Sequence, residues 1–110
     1  MLIERLRDWK SRLEKRNDLL SLIDHKNLII QIENGSECGY VIIQNGHVSI
    51  THVLPEDFSQ EVMVIAGTEK ACNELINGKS FLSQIPGNHL EANGHYKDLL
   101  LVESLFGLAV

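Results

Sequence analysis

Cysteine is scarce in this chain. There are two, Cys38 and Cys72, far apart and forming no Cys-x-x-Cys pair. A disulfide framework is therefore excluded as the organising device. No secretory leader is visible in Met1-Leu2-Ile3-Glu4, so two reduced thiols in a cytoplasm is the expectation. The sequon Asn34-Gly35-Ser36 then carries no meaning as a glycan site. Long apolar runs are missing too: none approaches the ~20 residues of a membrane span, which leaves a soluble or at most peripheral protein. Arginine is absent beyond Arg16. There is no glycine-rich phosphate loop and no Gly-x-Ser-x-Gly elbow, and the carboxylate pair Glu56-Asp57 falls in a loop. Nothing here reads as an enzyme. His47 and His52 lie five apart, on opposite faces of a strand and without a third ligand, so neither a metal nor a cofactor is expected.

What remains is an ordinary globular composition, 44% apolar and 23% charged over 110 residues, enough for one domain with a real core. A net charge of −5 argues against nucleic acid as a partner, because phosphate binding needs basic surface. The charge is uneven. Residues 1 to 16 carry six basic side chains against three acidic ones, a net of +3; the rest carries four lysines against twelve carboxylates, a net of −8. Within residues 1–24, Leu2, Leu6, Trp9, Leu13, Leu20 and Ile23 recur in steps of three and four, with Arg16 in the one missing place. That spacing predicts a leading amphipathic helix. Its stripe either packs on the core, meets an anionic membrane through residues 1–16, or forms a helix pair in a homodimer.

Strands follow. Leu28, Ile30 and Ile32 alternate with Ile29, Gln31 and Glu33, and Asn34 to Glu37 makes a turn. Asn45-Gly46 between Tyr40–Gln44 and His47–Thr51 is the strongest short hairpin signal. A two-residue turn there pairs Gln44 with His47, Ile43 with Val48, Ile42 with Ser49 and Val41 with Ile50. Val41, Ile43, Val48 and Ile50 then share a dry face that the helices must cover. Pro55 to Phe58 reads as a loop or a single helical turn.

Val62 to Ala66 is apolar on both parities, as an inner strand is. Thr68 can cap the next helix, whose buried side is Ala71, Cys72, Leu75 and Ile76, and Gly78 can end it. Cys72 therefore reads as an inert core thiol, whereas Cys38 sits in a turn. A short helix over 80–85, stopped by Pro86, and a strand over 89–93 come before Asn93-Gly94. Residues 95–110 then form a helix apolar around most of its circumference, which needs cover on more than one side. The sheet can cover one side; protein, a partner chain or a ligand must cover the other.

This order resembles the sterol carrier protein type-two lipid-binding domain. The residues that carry the likeness are Ala66-Gly67-Thr68, Leu75-Ile76-Asn77-Gly78-Lys79, Phe81-Leu82, and Leu90-Glu91-Ala92-Asn93-Gly94 ahead of the apolar helix. The likeness spans most of the chain, though its motifs are glycines and apolar positions rather than a chemical signature. It implies an α+β fold, a twisted, mostly antiparallel sheet of about five strands with helices across one face. It also implies an apolar cavity between the layers for a sterol, fatty acid or fatty acyl-CoA. Lining would come from Val41, Ile43, Val48 and Ile50 of the sheet and from Phe81, Leu82, Leu99, Val102 and Phe106 of the helices. Lys79 could meet a ligand head group at the mouth. The chain departs from the family in its trimmed linkers, in lacking a peroxisomal Ser-Lys-Leu ending, and in having no attached catalytic domain, as a small bacterial stand-alone member would. The alternative is a structural or homodimerising domain whose cavity is filled.

Overall fold

The computed structural model describes residues 2–53, 62–78, 90–94 and 96–109. The expectations for Pro55 to Phe58, for the short helix over 80–85, and for Lys79, Phe81 and Leu82 lie outside these residues. Helix α1 spans Leu2–Glu14, and a single turn of helix, α2 (Asn17–Leu20), runs into a 3-10 turn over Ser21–Ile23. Strands β1 (Asn27–Glu33), β2 (Cys38–Gln44) and β3 (His47–Thr51) follow, then β4 (Val62–Gly67), α3 (Glu69–Ile76), β5 (Leu90–Asn93) and α4 (Tyr96–Leu108).

The five strands lie in the order β3-β2-β1-β4-β5. Every neighbouring pair is antiparallel except β1 with β4. This is the expected α+β, mostly antiparallel sheet, with one parallel seam at its centre. The Asn45-Gly46 hairpin has the expected register in full, with Gln44 opposite His47 and Val41 opposite Ile50. Asn45 at φ +48° and Gly46 at φ +85° both accept left-handed backbone, which matches the twist of the flanking strands. The Asn34 turn closes through Asn34 N–H to the Glu37 carbonyl (3.0 Å) and Glu37 N–H to Asn34 Oδ1 (2.9 Å).

One sheet face carries Leu28, Ile30 and Ile32 of β1, with Val41 and Ile43 of β2, Val48 of β3, and Met63 and Ile65 of β4. On it lie the buried sides of α1 (Leu2, Leu6, Trp9, Leu13), α3 (Ala71, Cys72, Leu75, Ile76) and α4 (Val102, Leu105, Phe106), in a single core cluster. Helix α1 comes down directly on Gly39. A Cβ there would sit 3.0 Å from Leu6 Cδ1 and 3.1 Å from Ile3 Cδ1, so the missing side chain lets the helix reach the strand. The opposite face is less polar than its alternation suggests: Ile29 and Ile42, paired across β1 and β2, are both buried there.

The leading segment is not one helix. It breaks at Arg16, whose backbone is extended (φ −113°, ψ 92°), and the break resets the helical phase. Leu19 is consequently the buried residue of α2, while Leu20, the residue that an unbroken stripe would bury, is only partly covered. By contrast α3 follows expectation. Thr68 Oγ1 accepts from Ala71 N–H at 3.1 Å, and Gly78 N–H donates to the Leu75 carbonyl at 3.0 Å as the helix ends.

Candidate functional site

The described candidate lining residues fall between the sheet and the helices. Of the nine candidate lining residues, seven are described, and all seven belong to or pack against the one core cluster. Val41, Ile43, Val102 and Phe106 have no exposed surface, Val48 is nearly covered, and Ile50 and Leu99 are partly so. In this arrangement the first four touch only protein. Phe81 and Leu82 lie outside the described residues.

Residues from α1 and α3 share the same space. Trp9 stacks on Phe106 with ring centroids 4.6 Å apart and planes tilted by 40°, and Leu6, Leu13, Leu75 and Ile76 pack in the same cluster. The leading stripe thus packs on the core, the first of the options its spacing left open. Its Trp9 and the helical i+3 and i+4 neighbours were the available signal that α1 forms a wall of this space.

A polar row joins α1 to the end of α4. Trp9 Nε1–H donates to the Leu105 carbonyl at 3.0 Å, in a buried position. Arg12 Nε–H donates to the Ala109 carbonyl at 2.9 Å, and Arg16 Nη1–H to the Leu108 carbonyl at 2.9 Å. The last four carbonyls of a helix have no intrahelical partner and carry its negative dipole end, so two arginines there are doubly favourable. Arg16 is held in plane by Asp18, with Nε to Oδ1 at 3.0 Å and Nη2 to Oδ2 at 2.8 Å. That pairing lowers the Asp18 pKa and raises that of Arg16.

Three clefts are bounded by described residues. One of about 480 Å³ lies beside Val64, Ala66, Glu91, Ala92 and Asn93. Two others, of about 330 and 370 Å³, adjoin Glu37 and Cys38. None of the nine candidate lining residues borders these three. Cys72 is wholly buried, its Sγ donates to the Glu33 carbonyl at 3.4 Å, and burial pushes its pKa up to about 11. Such a thiol is a poor nucleophile. Among the described residues no helix is long and apolar enough to cross a membrane.

Taken together, a five-stranded sheet with α1, α3 and an apolar α4 on one face is a sterol-carrier-type α+β fold. No protein-family model matches the sequence, and no curated protein matches it. Among solved structures the chain is similar to a UbiJ-SCP2 ubiquinone synthesis protein, with a TM-score of 0.68 and 13% identity, covering 90% of this chain and 82% of that one. At that identity the likeness establishes the fold.

Proposed function

We propose that this chain is a non-catalytic, cytoplasmic lipid-binding or lipid-transfer module that holds a sterol, fatty acid or fatty acyl-CoA between sheet and helices. The observation that carries the proposal is α4. It buries Val102, Leu105, Phe106 and Ala109 in the core yet leaves Leu100 41% and Leu108 52% exposed on its outer side. A helix apolar on both sides suits a cover whose inner face can exchange protein contacts for lipid contacts. The sterol-carrier-type fold supports this reading, and the solved neighbour's description as a ubiquinone synthesis protein adds long-tailed quinone lipids to the ligands worth testing. Each buried methylene contributes ~0.8 kcal/mol, so a ~16-carbon chain offers on the order of 10 kcal/mol before ordering costs. No charged group is needed to hold it.

Native mass spectrometry of the protein purified from its host, and again after addition of fatty acid, acyl-CoA or ubiquinone, tests the proposal. A mass shift by one ligand is expected. Protein that is consistently empty and takes up none of the three refutes it. The exposed Leu100 and Leu108 also favour a second reading, a domain that pairs with a copy of itself through α4. Sedimentation equilibrium tests this second reading: a chain that stays monomeric at high concentration refutes the pairing. The exposed Arg5, Arg7 and Lys15 of the leading segment are the residues through which contact with an anionic membrane would be made. Their charge reversal would abolish binding to phosphatidylglycerol vesicles.

A further inference from the structure

The stripe of α1 has one residue out of character, Arg16, and the structure shows where it goes. Trp9, Arg12 and Arg16 follow one another along the side of the leading segment that faces α4. They end on the carbonyls of Leu105, Ala109 and Leu108. The three bonds are graded from buried at Trp9, through partly buried at Arg12, to exposed at Arg16. Asp18 occupies Nε and Nη2 of Arg16 and so presents Nη1 to α4. The extended backbone at Arg16 ends the α1 segment at this point, beside the end of α4.

We infer that α1 is a clasp on α4: Arg12 and Arg16 set how often the end of α4 lifts from the core, and thereby how fast an apolar ligand enters and leaves. The ligand part of this inference rests on the lipid-binding reading; the clasp itself does not. Val102 and Phe106 have no exposed surface while α4 is down, and lifting α4 would uncover both. The bonds that oppose lifting are polar and lie at the helix end, and the outermost is open to solvent, so the end can release in steps without dismantling the sheet.

Hydrogen exchange on the full chain, read by mass spectrometry, decides the clasp. In Arg12→Gln and in Arg16→Gln, α4 amides should exchange about tenfold faster than in the wild type, the scale expected for one lost charge-assisted bond. The β1–β2–β3 amides should be unchanged. Lys15→Gln removes a neighbouring charge that makes no such bond and should leave α4 as it was. Unchanged α4 exchange in the arginine variants, or acceleration spread equally over the sheet, overturns the clasp. Release of a pyrene-labelled fatty acid to excess phosphatidylcholine vesicles, followed by stopped flow, decides the gate. It should speed up by the same factor as α4 exchange; release at the wild-type rate overturns the gate. A wild-type chain that takes up none of fatty acid, acyl-CoA and ubiquinone refutes the lipid reading and the gate together, while the exchange result still stands for the clasp.

Discussion

Trp9→Phe tests how much of the core's integrity depends on the α1–α4 junction. Phenylalanine keeps an aromatic ring against Phe106 but removes the N–H that reaches the Leu105 carbonyl at 3.0 Å. That carbonyl belongs to the last turn of α4. Losing the buried indole bond to it costs about 0.5–1.5 kcal/mol. Trp9 has no exposed surface, so the smaller ring also leaves space that the core fills only in part, adding about 1–2 kcal/mol. A total of about 1.5–3.5 kcal/mol is large against the ~5–15 kcal/mol of a typical domain, yet leaves it folded. At ~4 °C per kcal/mol for a domain of this size, the melting temperature should drop by about 6–14 °C. Urea unfolding should be followed by far-UV circular dichroism, because the chain has one tryptophan and the substitution removes it. A loss below about 1 kcal/mol would show that the Leu105 carbonyl finds another partner, and the assigned role of the indole would be wrong.

Two further outcomes follow from the same geometry. Thr68→Ala removes the cap on Ala71 N–H and should cost about 1 kcal/mol in the same urea assay, while Thr68→Ser should retain most of that stability. Cys72, with its folded pKa raised to about 11 against an ordinary value near 9, contributes stability that is fully present below pH 9 and is lost as the pH rises towards 11. Cys72→Ala should flatten that alkaline fall, and a thiol-reactive dye should label the native protein at the half-buried Cys38 alone. An equal alkaline fall in wild type and variant would show that other groups cause it.

The parts of the fold that could be read from the sequence are those whose cause is local. Asn45-Gly46 fixes its hairpin because two adjacent residues meet the backbone demand of one turn, and the register of four pairs follows. Thr68 and Gly78 bracket α3 for the same reason. Alternation marked β1 as a strand, and Leu28, Ile30 and Ile32 prove to be its core-facing set. It could not show that Ile29 and Ile42 are buried on the other face, because that burial depends on the strand's central place in the sheet. The parallel pairing of β1 with β4 has no signature either, since the chain between them says nothing of which edge β4 will meet. Arg16 looked like a flaw in an apolar stripe; its partner carbonyl is 92 positions away, and no pattern in the sequence links the two. Of the candidate lining, seven residues share the cluster because strand and helix periodicity select core positions well. Periodicity does not distinguish a side chain that packs from one that waits for a ligand.

The row of bonds between α1 and α4 also bears on the order in which the molecule assembles. The β1–β2–β3 meander closes through short loops, whereas the α1–α4 bonds join positions 92 to 97 residues apart. Contacts of such separation are costly to close until the intervening chain is in place. The meander is therefore cheap to close, whereas the docking of α4 against α1 carries the larger closure cost and depends on the rest of the chain being in place.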